Sequence, residues 1–292
     1  MPREDSPLWR GIERLPPRPL NGWRYLLVNQ AAFATRMKSI RRLDSIEKHA
    51  LLNRELDACS DGATPFLLRA EGALGESREA RAIRQLCADG CYACAISVLD
   101  SPLELRDMAA SLTARCNVEL PDHLEMLLRF FDTRIMEPLM DAFTLSQTVD
   151  FVSCTTEWYY AGRGGELELV SAPVRTGTDS FMSPLRLSAE QQAALIDAGE
   201  ADAVVDLLAR GDVAPLLDLP FAERHAAVVH CLREAHSWGL STIPEVTAYC
   251  TLSLHAGADF SRRMPWSELL LQVQQGSMRF SRAMAIASEA GQ

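Results

Sequence analysis

The stretch from Leu124 to Trp158, LEMLLRFFDTRIMEPLMDAFTLSQTVDFVSCTTEW, constrains the fold more than any other part of the chain. Leu124–Phe131 is almost continuously apolar, the pattern of a strand covered on both faces. Asp132 follows as the expected N-cap of a helix over Thr133–Phe143. Thr144-Leu145-Ser146-Gln147 is a capping box that opens a second helix. A strand carrying Trp158 then begins. No nucleophile, metal cage or phosphate loop is set among these elements. The expectation is a scaffold with a recognition surface, not an enzyme.

The rest of the chain extends this pattern. Residues 1–22 read as a basic, Pro-rich extended arm (LPPRPLNG) ending in a turn. Strands are expected at Trp23–Val28, Phe66–Arg69 and Tyr92–Leu99, with a helix compatible with Ala34–Leu56. Ser77–Asp89 reads as a helix that Gly90 ends in a left-handed C-cap. Ser101-Pro102-Leu103-Glu104 combines a capping hydroxyl, a helix-starting proline and a back-reaching glutamate, and predicts a helix to about Arg115. Cys154–Ala161 and Glu166–Pro173 flank Gly162–Gly165 as a β-hairpin. Beyond Pro173 the signals are helical: a third capping box at Ser188–Gln191, then Phe221–Trp238, Pro244–Ala256 and Trp266–Ala287. Phe221, Val228, Leu232 and Ala235 share one face of the second of these. The fold class expected is α+β. An N-terminal α/β lobe over 23–175, with a mixed sheet flanked by helices, precedes a linker over 176–187 and an all-helical lobe over 188–292.

At 292 residues the chain can bury a substantial core, and 48% apolar with 23% charged residues is ordinary globular composition. The absence of an apolar run of membrane-spanning length and of a secretory h-region points to the cytoplasm. The net charge of −10 is unevenly spread: residues 1–42 carry +6, the remainder −16, and residues 188–260 alone −8. A mainly acidic body argues against nucleic acid as a partner, since phosphate contacts need a basic face. The basic N-terminal segment either complements the acidic half of its own chain or meets an acidic partner.

Eight cysteines in such a chain read as reduced thiols among apolar neighbours. Cys87, Cys91 and Cys94 have the spacing of a radical-SAM cluster loop, and Gly164-Gly165-Glu166 imitates the SAM-binding element of that family. Several details oppose the iron–sulfur reading. Ala93 stands where an aromatic residue precedes the last cysteine, the cysteines run into an apolar strand rather than a wrapping loop, and the helical second half cannot supply repeated βα units. No second pair accompanies Cys91 and Cys94 as zinc requires, and His225 and His230 do not share a helical face. No nucleophile elbow, P-loop or dinucleotide fingerprint occurs. Neither a metal nor a cofactor is expected.

Arg129, Asp132, Arg134 and Trp158 form the more informative group. On so apolar a strand, Arg129 needs an oxygen partner. The structural reading has Asp132 capping the helix for about 1 kcal/mol, Arg129 tying the junction and Trp158 filling the core. The ordered blocks Ser101-Pro102, Leu120-Pro121-Asp122, Leu128-Arg129-Phe130-Phe131-Asp132-Thr133-Arg134 and Trp158 resemble the type VI secretion adaptor chaperones of the Tap/TEC family, long catalogued as a domain of unknown function. Tyr25–Asn29 fits the strand that precedes these blocks, with Asn29 where Asp is common. Thr133 stands where Pro is usual, His123 where Gly is usual, and Ser111 near a frequent His. The likeness spans about residues 23–162. It implies a bacterial cytosolic protein that binds a secretion effector and helps load it onto a VgrG-type spike, with Arg129, Phe131, Asp132, Arg134 and Trp158 as motif residues. A cleft between the two lobes is then the expected place for a helical effector segment. The rival expectations are a cysteine-based Fe–S enzyme and a toxin-neutralising immunity protein.

Overall fold

The structure, a computed structural model, describes residues 6–18, 20–33, 43, 46–52, 64–70, 77–174 and 177–290. It is α+β, with sheets and flanking helices first and an all-helical region after them. Two compact units divide the chain, residues 1–198 and 199–292.

The first unit is organised by a six-stranded antiparallel sheet in the order β2-β3-β1-β4-β7-β8. Its strands are β1 (Trp23–Val28), β2 (Lys48–Ala50), β3 (Phe66–Arg69), β4 (Ile96–Ser101), β7 (Glu157–Ala161) and β8 (Leu167–Leu169). Alternation along β1 divides its side chains between two cores. Tyr25 and Leu27 join Leu67, Leu99 and Trp158 on one face. Leu26 and Val28 join Leu68, Ile96 and Val98 on the other. Helix α1 (Pro7–Glu13) and α2 (Arg78–Gly90) cover the second face with Leu8, Trp9, Ile12, Ile83 and Leu86. Helices α3 (Leu105–Arg115), α4 (Met136–Ala142) and α5 (Leu145–Val152) contribute Met108, Leu112, Met136, Leu139 and Phe151 to the first. Coverage on both sides is why β1 is continuously apolar over Tyr25–Val28 rather than alternating.

A three-stranded sheet in the order β6-β5-β9 adjoins α3, built from β5 (Asn117–Glu119), β6 (Glu125–Leu127) and β9 (Leu185–Arg186). Parallel pairing occurs here, between β5 and β9. Helix α6 (Ala189–Arg210) starts on the expected box: Ser188 Oγ accepts from Gln191 N–H at 3.2 Å, and Gln191 Oε1 accepts from Ser188 N–H at 2.9 Å. Its turns as far as Ala198 belong to the first unit.

In the second unit, the later turns of α6, then α7 (Ala214–Leu217), α8 (Phe221–Ser237), α9 (Ile243–Ala256), α10 (Trp266–Gln274) and α11 (Phe280–Ala290) enclose a separate core. Tyr249 lies within it, with ring centroids 5.0 Å from Phe260 and 6.4 Å from Phe280. On α8, Val228, Leu232 and Ala235 are buried as expected, but Phe221 is exposed under the Arg224 guanidinium. The helix expected over Trp266–Ala287 is broken between α10 and α11, where Gly276 takes a φ of 71°.

Several sequence expectations are corrected. Within the expected extended arm, Pro7–Glu13 is helical, since Ser6 caps α1 with Pro7 in its first turn and the helix sinks Leu8, Trp9 and Ile12 into the core, while residues 1–5 lie outside the described residues. Helix α3 starts at Leu105, not on Ser101. The Ser101 hydroxyl instead donates to Cys154 O at 2.6 Å from the end of β4, which leaves Glu104 as N-cap. Gly90 lies inside α2 and is not its left-handed cap; a Cβ there would meet Phe33 Cζ at 2.6 Å. The helix expected at Ala34–Leu56 lies largely outside the described residues, and Lys48–Ala50 is a strand. Leu124–Phe131 is not a strand covered on both faces. Only Glu125–Leu127 pairs, at a sheet edge, with Leu124, Met126 and Leu127 exposed. The segment 176–187 is built into the first unit through β9, Asp179 and Phe181.

Asp179 and Phe181 lie against Arg115, which has no exposed side-chain surface. Its Nε donates to Phe151 O at 2.6 Å, and Nη1 donates to Ser111 O at 2.9 Å and Ser111 Oγ at 2.6 Å. Nη2 is within reach of Asp150 O at 3.2 Å, Ser153 Oγ at 3.2 Å and Asp179 Oδ1 at 2.7 Å. The guanidinium also lies 4.6 Å from the Phe181 ring centroid. Burial works to raise the Asp179 pKa, yet the hydrogen bonds from Arg115 and Ser111 hold it below the ordinary carboxylate range. Removing Arg115 strands several oxygens at once. Arg115→Met should lower the unfolding free energy in urea by about 3–5 kcal/mol, and Arg115→Lys should recover little of it. A loss below about 1 kcal/mol would contradict the role given to this residue.

Candidate functional site

The block Leu128–Arg134 enters the fold at the end of β6 and turns directly into helix. Phe130 and Phe131 are both buried, with ring centroids 6.1 Å apart at 61°. Phe130 meets the ring of Trp158 edge-on at 5.7 Å, and Phe151 stacks on that same ring at 5.6 Å. Trp158 is therefore the centre of an aromatic cluster, and its Nε1–H has no partner among the described residues. That geometry suits core filling and leaves the indole closed to any ligand.

Asp132 takes the capping position expected of it. Its side chain accepts from Arg134 N–H at the head of a short 3₁₀ turn, Thr133–Ile135, which leads into α4. The same carboxylate receives two bonds from the Arg134 guanidinium, Nε at 2.9 Å and Nη2 at 2.6 Å. Between them, Thr133 donates its N–H to Cys94 O and its hydroxyl to Ala161 O, so the turn joins the approach to β4 with the end of β7. The proline usual at this position in the resembling family could make neither bond. Arg163 donates to Arg134 O at 3.0 Å and adds a second tie.

Arg129 departs from expectation. It is exposed, its guanidinium lies 5.7 Å from the Phe131 ring centroid, and it has no ion-pair partner among the described residues. The junction is tied by Arg134 instead. Among the described residues the buried arginines are Arg115 and Arg24, neither singled out from the sequence. Arg24 faces Asp100 across β1 and β4, with Nε to Oδ1 and Nη2 to Oδ2 both at 2.7 Å. Ser111 one turn before Arg115, and an acidic residue ending the β4 run, were the available signals. Local patterning carries no rule that pairs residues 76 positions apart.

The cysteines of the radical-SAM-like spacing are all buried. Cys91 donates to Gly165 O at 3.3 Å, and Gly165, at φ 83°, packs so closely that a Cβ would lie 2.8 Å from the Cys91 sulfur. The two segments that imitate that family thus do meet, as hairpin against turn. Burial raises the pKa of Cys87 and of Cys91, which disfavours the thiolate. Among the described residues, no three His, Cys, Asp or Glu side chains converge as metal ligands would.

The first unit also leaves several large apolar side chains exposed. Leu124, Met126 and Leu127 are 54%, 51% and 42% exposed along β6, and Leu145 heads α5 at 69%. A shallow groove of about 260 Å³ lies between α4 and the first turns of α6, rimmed by Glu137 and Asp141 and floored by Ala142, Ala194 and Ala198.

The two halves of the motif should respond differently to substitution. Asp132→Ala removes a cap and a two-pronged ion pair, and should lower stability by about 1–2 kcal/mol in urea unfolding. Arg129→Ala should leave it within about 0.5 kcal/mol. Equal effects would contradict the division.

Residues 24–149 match the model of a family described as Domain of unknown function (DUF4123). No curated protein and no solved structure matches the chain. No described helix is long and apolar enough to cross a membrane.

Proposed function

We propose that this chain is a non-catalytic adaptor that binds a type VI secretion effector and helps load it onto a VgrG-type spike. The observation that carries the reading is the coincidence of two likenesses. The family match covers residues 24–149, and within that span lies the Leu128–Arg134 block whose order of residues resembles the Tap/TEC adaptor chaperones. The geometry of that block is in keeping with the proposal. Phe130, Phe131, Asp132 and Arg134 are engaged with one another or with neighbouring strands, as architectural residues would be.

Work by binding also suits the exposed side chains. Apolar residues scattered singly on a surface need no explanation, but consecutive ones along an open strand suit a protein partner. Met126 and Leu127 are such a pair, and Leu124 lies two residues before them. The acidic rim of the α4–α6 groove, Glu137 and Asp141, would favour a partner segment with basic side chains beside an apolar stripe.

The test is direct. Purified folded chain should bind an effector encoded beside it, and a VgrG-type spike protein, each with micromolar affinity or better by calorimetry. Binding to neither, with the chain folded, would contradict the proposal. Binding confined to the catalytic domain of a toxin would favour an immunity protein in its place.

A further inference from the structure

The open edge of β6 has a charge pattern that is its own complement. Register along β5 and β6 pairs Asn117 with Leu127, Val118 with Met126 and Glu119 with Glu125. Leu120 N–H donates to Leu124 O at 2.9 Å and Leu128 N–H to Cys116 O at 2.7 Å. Residues 124, 126 and 128 therefore direct their backbone groups towards β5, and 125 and 127 direct theirs away from it, while Arg129 O accepts from Asp132 N–H at 2.8 Å where the chain begins to turn. The sheet order leaves that outer side of β6 without a strand.

Side chains 125, 127 and 129 also share one face, because the strand repeats every two residues. Read along it, they are a carboxylate, an apolar group and a guanidinium. Glu125 is poorly placed within its own chain, since the residue directly across from it is another carboxylate, Glu119. Glu119 already has two partners, Arg186 at 3.0 Å and His123 at 2.6 Å. Glu125 and Arg129 have no ion-pair partner among the described residues, and both are exposed. The opposite face of the strand is unfinished as well: Leu124 and Met126 continue the side that holds buried Leu120 and Val118, yet each is about half exposed.

We infer that β6 pairs antiparallel with β6 of a second copy of this chain, about a two-fold axis at Leu127. In that register Leu127 lies opposite its own counterpart, an outward-directed pair that exchanges two backbone hydrogen bonds. Glu125 then faces the partner's Arg129, and Arg129 faces the partner's Glu125, which gives each the opposite charge it lacks within its own chain. Met126 and Leu124 overhang the joined edges and cover one another. Such an interface is isologous and closes, so it makes a dimer and not a fibre. It is short, well below the ~1,200 Å² of a standard interface, so the expected dissociation constant is on the order of 100 µM.

The experiment is sedimentation equilibrium on the full chain and three variants, each first checked by thermal melting. Wild type should shift from monomer to dimer as its concentration rises to about 500 µM. E125R and R129E should each weaken self-association by about tenfold or more, because each places like charges opposite one another twice per dimer. An equimolar mixture of E125R and R129E should associate again, since one strand then presents two cations and the other two carboxylates. The double variant E125R/R129E should dimerise like wild type. Monomer throughout for wild type, or variants that associate no differently alone and mixed, would overturn the inference. Wild type that stays monomeric while E125R loses an effector would also overturn it, in favour of a foreign strand on the same edge.

Discussion

A guanidinium with no access to water must have its donors met by the protein, and Arg115 has them met from three separate stretches of chain. Ser111 supplies acceptors from its own helix, Asp150, Phe151 and Ser153 supply them from the end of α5, and Asp179 supplies one from the segment before β9. The consequence is positional. The end of α5 cannot drift from the end of α3, and the segment carrying Asp179 and Phe181 cannot lift without exposing a charge. Since β5 follows α3 directly and β9 pairs with β5, the same residue fixes where the three-stranded sheet stands on the larger one.

Around that anchor the first unit closes most of its apolar surface. The six-stranded sheet is covered on both faces, and Trp158, with Phe151 stacked on it and Phe130 edge-on to it, lies at the centre of one of them. Asp132, Thr133 and Arg134 then lock the passage from β6 into α4 against β4 and β7. So complete a closure makes the exceptions informative. Leu124, Met126 and Leu127 stay uncovered on an edge strand, where unpaired backbone and apolar side chains coincide. The first unit thus combines a closed core with an unfinished edge, which is what the proposed adaptor role would require.

Much of this was legible in the sequence where the signal is local. Strands Trp23–Val28 and Phe66–Arg69 were read to the residue, and the capping boxes at Thr144 and Ser188 form as their spacing demands. Asp132 caps as expected because a cap depends only on its next two residues. What failed was burial, which is not local. Arg129 lies in an apolar run, which points to burial, but the run sits at a sheet edge and turns from Arg129 itself, whose carbonyl accepts from Asp132 N–H, leaving the side chain outside. Arg115 sits in an ordinary helix end and is fully enclosed, because its acceptors beyond its own helix lie 35 to 64 residues further on. The Ser101-Pro102 start failed for a related reason, as the Ser101 hydroxyl found Cys154 O across 53 residues and left the helix to begin later.

The central claim is that the Phe–Asp–Arg block is architecture and that work is done by surfaces beside it. Hydrogen–deuterium exchange on the free chain and on the chain mixed with the proposed effector partner compares the two roles amide by amide. The account predicts that amides over residues 130–135 and 158–161 exchange slowly in the free chain, near the rate of global unfolding, and do not change when the partner binds. New protection would fall on exposed segments. Fast exchange at 130–135 in the free chain, with protection arising only on binding, would contradict it and make the block itself the interface.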